Sequence, residues 1–226
     1  MIIHDSLKLL HTWSFMSSYS KPDHYSIKAQ KEGYPARSVY KLKEIDEKFK
    51  LISFKEAGGG TFKILDLGAA PGSWSLYIMR SLKKKPAFLL AVDLSPLSRE
   101  YDQGLFDKPE FSFIQGDFTR DDVREAILSQ GPYNLIISDA APATSGNRSL
   151  DTLRSLSLGE TALYYAENAL TAGGNFLIKV FQGGETGDLL KKTRELFSTA
   201  KSFKPAACRQ GSFETYFIGL GKKNFS

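Results

Sequence analysis

The chain of 226 residues is long enough for one domain with a sizeable core, and its 42% hydrophobic and 24% charged residues are ordinary for a globular protein. It contains no apolar run of the ~18 residues that would span a bilayer, which argues against a membrane protein. A single cysteine, Cys208, excludes an intrachain disulfide and fits a reducing compartment, so we expect a cytoplasmic protein.

The net charge is +5, and the excess of basic residues is concentrated near the start of the chain. Residues 21–55 contain nine Lys and Arg against five Asp and Glu. A basic end on an otherwise balanced chain indicates a polyanionic partner, although a solvated basic helix would have the same composition. The first twenty residues lack the uninterrupted apolar core of a signal peptide, and we expect residues 1–21 to form a peripheral extension.

The predicted elements begin with a helix in "RSVYKLKEIDEKFKLI", where Val39, Leu42, Ile45 and Phe49 fall on one face. After a break at "EAGGGT", the apolar run "FKILDLG" predicts a first strand and "SWSLYIMRSL" a helix. "AFLLAVDL" and "FSFIQGD" predict the second and third strands, and residues 121–129 a further helix.

The second half of the chain continues this alternation. "GPYNLIISD" predicts a fourth strand, and residues 151–172 a long helix that stops at Gly173 and Gly174. "NFLIKVF" predicts a fifth strand and residues 186–200 another helix, before two strand-like segments, "KSFKPAA" and "FETYFIGLG". Only "CRQGS" separates these last two, which is too little chain for a parallel crossover, so the final strand is predicted to run antiparallel.

This pattern of elements predicts the fold class. Apolar strands that alternate with helices are typical of a parallel sheet that is covered by helices on both faces. The sequence therefore predicts one α/β domain over residues 22–226. Within this domain, residues 22–55 are predicted to form a basic helical lead-in, and residues 61–223 the core that contains the sheet.

The turn after the first strand, "ILDLGAAPGSW", contains Gly68 and Gly72, which would let the backbone approach a ligand closely. It matches neither the dinucleotide fingerprint G-x-G-x-x-G nor the phosphate loop G-x-x-x-x-G-K-[ST]. Three later strands end in Asp93, Asp117 and Asp139, and ligands of open α/β sheets bind at such strand ends. Each aspartate alone could simply cap the following turn. Together with the glycine-rich turn, they indicate a site for a nucleoside without a pyrophosphate.

Lys179 interrupts the buried strand "NFLIKVF". Lysine is almost never fully buried without a partner, because an isolated ammonium in apolar surroundings costs several kcal/mol. One interpretation is a lysine at a strand end whose ammonium reaches solvent. The other is a functional amine, and the glycine-rich turn and the three strand-end aspartates favour it.

Seven segments in chain order resemble one family: "KEGYPARSVYKLKEID", "GAAPGSWS", "DL" after the second strand, "QGDF", "SDAAPATSG", "KVFQGG" and "GSFETYFIG". They are similar to the RrmJ/FtsJ family of ribosomal RNA ribose 2′-O-methyltransferases, which use S-adenosylmethionine (SAM). The resemblance covers residues 22–223. It implies a Rossmann-like class I methyltransferase fold, with a seven-stranded, mostly parallel sheet whose last strand is antiparallel.

The resemblance also implies the site residues. A Lys-Asp-Lys-Glu tetrad carries over to Lys41, Asp139, Lys179 and Glu214, with Lys179 as the base that deprotonates or polarises the 2′-hydroxyl. Asp139 would orient Lys179, and the other pair would position the ribose and its phosphate. The implied SAM-binding residues are Gly68, Ala70, Pro71, Gly72, Trp74, Asp93, Leu94, Asp117, Phe118 and Asp139.

The chain departs from the family pattern at Ser73, Ala143 and Phe213, where relatives carry Gly, a larger polar residue and, in the bacterial ribosomal RNA enzyme, Arg. None of these positions belongs to the tetrad. We expect Ala143 and Phe213 to lie near the substrate groove, so they bear on which RNA is bound.

RNA explains the basic lead-in better than SAM does, because SAM is small and zwitterionic. Lys28, Lys31, Arg37 and Lys41 are predicted to contact phosphates. Tyr34 and Tyr40 could stack on bases, and Tyr40 could equally fill the interface between helix and sheet.

The function predicted first is therefore methylation of a ribose, at a uridine of 23S or large-subunit ribosomal RNA, by a monomer. A tRNA anticodon-loop or cap ribose methyltransferase, and a non-catalytic assembly factor that binds RNA, remain alternatives. A nicotinamide oxidoreductase would need the dinucleotide fingerprint that is missing. No His or Cys cluster has metal-ligand spacing, so no metal is expected.

Overall fold

The computed structural model describes residues 23–52, 60–82, 85–184 and 186–224, so the peripheral extension predicted for residues 1–21 lies outside the described residues. The elements in chain order are α1 (His24–Lys31), α2 (Val39–Phe49), β1 (Phe62–Leu67), α3 (Ser73–Ser81), β2 (Ala87–Asp93), a short 3₁₀ helix (Leu105–Asp107), β3 (Phe111–Gln115), α4 (Asp121–Ser129), β4 (Tyr133–Ser138), α5 (Arg148–Ala169), β5 (Leu170–Phe181), α6 (Thr186–Leu196), β6 (Phe197–Phe203) and β7 (Glu214–Lys222).

The seven strands form one sheet in the order β3-β2-β1-β4-β5-β7-β6. Neighbouring strands are parallel across the part of the sheet β3-β2-β1-β4-β5, and β7 runs antiparallel to both β5 and β6. The predicted fold class is confirmed: a mostly parallel sheet with an antiparallel last strand. The order reverses beside β1, and ligands of open α/β sheets bind next to such a reversal.

Both faces of the sheet are covered because alternate residues of each strand point to opposite sides. Ile64 of β1 packs in a core cluster with α2 and α3, whereas its neighbour Leu65 packs in a second cluster with α5. In α2, Val39, Leu42 and Ile45 are fully buried, which is the face that the sequence spacing predicts.

The structure differs from the sequence-based elements around β5 and β6. β5 begins at Leu170, five residues before the predicted strand, and its pairing with β4 is shifted between Tyr133 and Leu135. A helix was predicted over residues 186–200, but α6 ends at Leu196 and β6 begins at Phe197. Phe197 explains the change, because its ring stacks on Phe176 of β5, and this long-range packing outweighs helix propensity.

No helix in the described ranges combines the length and apolarity that crossing a membrane requires.

Candidate functional site

The predicted site residues that follow strands, Gly68, Asp93, Asp117 and Asp139, lie at the edge of the sheet formed by the carboxyl ends of its parallel strands. Gly68 and Gly72, in the turn after β1, both have positive φ angles, of 73° and 105°. A Cβ atom on Gly68 would lie 2.6 Å from the Cα atom of Ala140, which follows β4. Glycine at this position therefore allows the turn after β1 to touch the loop after β4.

A cavity of about 240 Å³ opens at this edge. Most of the predicted cofactor residues line it, together with Ala140, Ala141 and Leu158; they are Gly68, Ala70, Asp93, Leu94, Asp117, Phe118 and Asp139. Acids, backbone groups and an aromatic ring in one cavity match the chemistry of a nucleoside, which presents hydroxyls, a polar base edge and a stacking face.

Pro71, Gly72 and Trp74 are not among the lining residues of this cavity. Gly72 precedes the first residue of α3, and a Cβ atom there would lie 3.2 Å from the ring of Phe106. Trp74 is buried, and its indole N–H donates to the carbonyl of Ser38 over 2.9 Å. This hydrogen bond joins α3 to the lead-in, and the Trp74 ring packs in the core.

Two of the strand-end carboxylates are held by backbone hydrogen bonds. Asp93 accepts from the N–H of Ala70 over 2.9 Å and from that of Ser95 over 2.8 Å. Asp117 accepts from the N–H and the hydroxyl of Thr119. Both therefore stabilise their turns, as the capping interpretation requires, and both also line the cavity.

The four predicted tetrad residues form two ion pairs. The Lys179 ammonium lies 3.1 Å from Oδ1 of Asp139 and also donates to the Asp139 carbonyl. The Lys41 ammonium lies 2.8 Å from Oε2 of Glu214. All four side chains are between 9% and 16% exposed, so both pairs are largely shielded from water yet reachable.

The topology explains how residues so far apart in sequence meet. Antiparallel pairing sets Phe181 opposite Glu214 and Lys179 opposite Tyr216, so β5 and β7 place the lysine and the glutamate near one sheet edge. Asp139 directly follows β4, the parallel neighbour of β5. α2 supplies Lys41 from the face of the sheet against which its own Leu42 and Ile45 pack.

Tyr216 joins the two pairs and was missed in the sequence. Its hydroxyl donates to Oδ1 of Asp139 over 2.8 Å, and its ring lies 5.9 Å from the Lys41 ammonium and 6.0 Å from the ring of Trp74. Burial first, and then the negative charge of Asp139, raise the pKa of Tyr216 well above its ordinary value. The hydroxyl thus stays a hydrogen-bond donor. Its place two residues after Glu214, on the same strand face, was the available signal.

Asp66 was also missed, although an acid in the apolar run "FKILDLG" is a signal of its own. Its side chain is 1% exposed and accepts from the hydroxyl of Ser75 over 2.6 Å. Burial, followed by the charges of Asp139 and Asp93, raises the pKa of Asp66 to about 7, while the bond from Ser75 opposes the shift. Its Oδ1 has no partner among the described residues.

The four residues predicted to contact RNA differ in their surroundings. Lys31 is exposed, and Lys28 lies 3.8 Å from Glu32. Arg37 is instead committed inside the protein, since its guanidinium pairs with Asp23 and donates to the carbonyl of Ala207. Lys41 belongs to the ion pair already described.

Tyr34 and Tyr40 are 5% and 6% exposed. Tyr40 packs against Tyr25 at a centroid distance of 5.3 Å, and the Lys43 ammonium lies over both Tyr34 and Tyr40. Of the two roles open to Tyr40, the structure favours filling the helix–sheet interface over stacking on bases. Among the described residues no group of three or more His, Cys, Asp or Glu is placed to hold a metal ion.

Comparison with known proteins gives one family, with a match to the FtsJ-like methyltransferase family over residues 34–222. Two similar proteins are both named ribosomal RNA large subunit methyltransferase E. The one from Treponema denticola is 49% identical over 92% of this chain and 98% of its own length. The one from Borreliella afzelii is 45% identical over 87% of this chain and 96% of its own length.

Two solved structures share the fold. A crystal structure from Plasmodium falciparum, described as a ribosomal RNA methyltransferase, has a TM-score of 0.68 and 25% identity, and the match covers 84% of this chain and 98% of that one. Human methyltransferase-like protein 13, crystallised in complex with SAH, has a TM-score of 0.55 and 13% identity, and the match covers 80% of this chain and 81% of that one. At this identity the second likeness concerns the fold alone.

Proposed function

Because the chain belongs to the FtsJ-like methyltransferase family, we propose that it transfers a methyl group from SAM to a ribose 2′-hydroxyl of large-subunit ribosomal RNA. The names of relatives 49% and 45% identical support the RNA class. We take the nucleotide to be a uridine and SAM to be the donor on the resemblance of the quoted motifs, and the lining of the cavity beside Asp93 and Asp117 is compatible with SAM.

One observation carries the proposal: an amine paired with a carboxylate, Lys179 with Asp139, stands at the mouth of a cavity suited to a nucleoside. SAM, when bound, supplies an electrophilic methyl group on a sulfonium. The chain must then bring a ribose oxygen in line with that methyl group and take its proton as the O–C bond forms and the S–C bond breaks.

The two ion pairs divide this work. Lys179 accepts or polarises the proton of the 2′-hydroxyl, and Asp139 stabilises the resulting ammonium and fixes its position through the hydrogen bonds described above. Lys41 and Glu214 bind the ribose and its phosphate, since an ammonium attracts phosphate and a carboxylate accepts from a hydroxyl.

Lys179→Ala tests these roles. Loss of a positioned base costs about 10²–10⁴-fold in rate, so we expect methyl transfer to fall by at least ~100-fold while SAM affinity stays within about twofold. Tritiated methyl transfer to large ribosomal subunits gives the rate, and calorimetric titration gives the affinity. Lys192→Ala is the control, because Lys192 is exposed on α6 and forms an ion pair with Glu160, away from Asp139. Lost SAM binding with residual chemistry would remove Lys179 from the role of base.

A further inference from the structure

A second cavity, of about 400 Å³, shares no lining residue with the cavity next to Asp93. Its walls come from the first turns of α5 and from the chain that follows β5; they include Arg148, Ser149, Thr152, Leu153, Gln182 and Gly183. A volume of this size is within the range of small-molecule sites. We call it the α5 pocket.

The chain connects the α5 pocket directly to Glu214. Gln182 follows Phe181, whose partner across the antiparallel pairing is Glu214, and the N–H of Gln182 donates to the carbonyl of Phe213 over 2.8 Å. Phe213 itself immediately precedes Glu214. One residue of the pocket wall, Gln182, is thus hydrogen-bonded to the backbone directly before Glu214, and this brings the α5 pocket within reach of the neighbouring unit of a polymer whose ribose lies at the Lys41–Glu214 pair.

Arg148, which lines the pocket, lies over one of two phenylalanine rings that pack against each other at an interplanar angle of 56°. The Arg148 guanidinium lies 5.3 Å from the centroid of the Phe213 ring, and that ring lies 4.6 Å from the ring of Phe181. Arg148 is exposed and has no ion pair among the described residues. A planar cation held on an aromatic ring is a surface on which a nucleobase stacks.

The interior of the α5 pocket combines apolar surface with polar groups that suit a base edge. Leu153 lies on one wall of the pocket, and its side chain is 50% exposed. Gln182 offers a side-chain amide that hydrogen-bonds to nothing among the described residues, and Ser149 offers a hydroxyl. A Cβ atom on Gly183 would lie 2.4 Å from Thr152, so glycine lets the chain after β5 close against α5.

We propose that the α5 pocket binds the base of a nucleotide next to the methylated one, with Arg148 and Phe213 as the stacking surface. This inference rests on the proposed function, because it takes single-stranded RNA as the substrate. It also gives Phe213, which we expected near the substrate groove, a part in selecting the RNA. Arg148 is then a specificity-determining residue and has no part in the transfer of the methyl group.

The test separates stacking on a base from attraction to phosphate. The full-length protein is titrated, by fluorescence anisotropy, with labelled hexauridine and with a hexamer of the same ribose phosphates without bases. Stacking is worth about tenfold or more in affinity per base, so Arg148→Ala should weaken hexauridine binding by about tenfold and leave binding of the abasic hexamer unchanged. Arg148→Lys keeps the charge and loses the planar group, and we expect it to behave as Arg148→Ala does.

Equal weakening of both hexamers by Arg148→Ala, or full rescue by Arg148→Lys, would overturn the inference, because either result reduces Arg148 to a phosphate contact. Lys192→Ala is the matched control for a surface cation and should change neither affinity. Methyl transfer to large ribosomal subunits by the unmodified protein is measured in parallel. Normal transfer without a base-dependent effect of Arg148 overturns the α5 pocket alone. A base-dependent effect without methyl transfer to any RNA supports the pocket and overturns the proposed function.

Discussion

Asp66 makes the stability of the protein depend on pH. Its ordinary pKa of 3.8 is raised to about 7 in the folded chain, so between these values the folded state holds a proton that the unfolded state has released. The contribution of Asp66 to the free energy of unfolding is therefore fully present at low pH and is lost as the pH rises towards 7. A difference of one pKa unit corresponds to about 1.4 kcal/mol. Between pH 5 and pH 8 we therefore expect the free energy of unfolding of Asp66→Asn to rise by about 2–3 kcal/mol relative to that of the native chain.

Urea unfolding of both proteins at pH 5 and pH 8 gives the two free-energy differences. Asp188→Asn serves as the matched control, because it makes the same substitution at an exposed carboxylate on α6. Parallel pH curves for Asp66→Asn and the native chain would contradict a raised pKa at Asp66.

The positions of single site residues could be predicted from the sequence where those residues belong to a motif. The four tetrad positions were placed from their motifs, and the structure brings them into two ion pairs. Trp74 was assigned to the cofactor from its motif, and this stays a prediction; its ring is buried, packs against Tyr216 and does not line the cavity beside Asp93. Tyr216 and Arg148 escaped notice because their contacts depend on the packing of distant elements.

The lead-in of α1 and α2 is fastened to the connection between β6 and β7, which ends at Glu214. Glu44 accepts from the N–H groups of Ala206 and Ala207, and Arg37 donates to the carbonyl of Ala207. Ser73 accepts from the N–H of Ala36 over 2.8 Å. These bonds hold α2, and with it Lys41, at a fixed distance from Glu214.

Arg37→Ala should therefore act on stability and not on RNA contacts alone. Removing a charged hydrogen-bond donor from a largely buried position costs about 1–3 kcal/mol, because its acceptors lose their partner. We expect a drop of this size in the free energy of unfolding, measured by urea titration, with less than ~0.5 kcal/mol for the exposed control Lys31→Ala. An unchanged stability with weakened RNA binding would return Arg37 to the set of phosphate contacts predicted from the sequence.

Elements with a strong local pattern were predicted closely, and those defined by long-range pairing were not. α4 spans Asp121–Ser129 as its periodicity predicts, and α2 buries the predicted face. The early start of β5 and the length of β6 depend on pairing with β4 and β7, which no local window of sequence contains. Sequence patterns give the order of such strands more readily than their ends.

At the scale of the whole molecule, one edge of the sheet carries every part of the proposed reaction. The cavity beside Asp93 and Asp117 suits a nucleoside cofactor, and Asp139 of one ion pair lines it. A backbone hydrogen bond between Gln182 and Phe213 links the α5 pocket to the strand that begins at Glu214. The net charge of +5 adds a general attraction to RNA that does not depend on sequence. The arrangement follows from parallel strands, whose carboxyl ends all meet at this edge.

We propose that the methyl group is transferred to a ribose oxygen of the RNA. Alkaline hydrolysis of the methylated RNA tests this most directly. Large ribosomal subunits from cells in which the gene is deleted are incubated with the protein and with SAM tritiated in its methyl group, and the RNA is then hydrolysed with alkali. Hydrolysis requires a free 2′-hydroxyl, so we predict label in alkali-resistant dinucleotides and none with Lys179→Ala. Label recovered in mononucleotides would mean methylation of a base and would contradict the account.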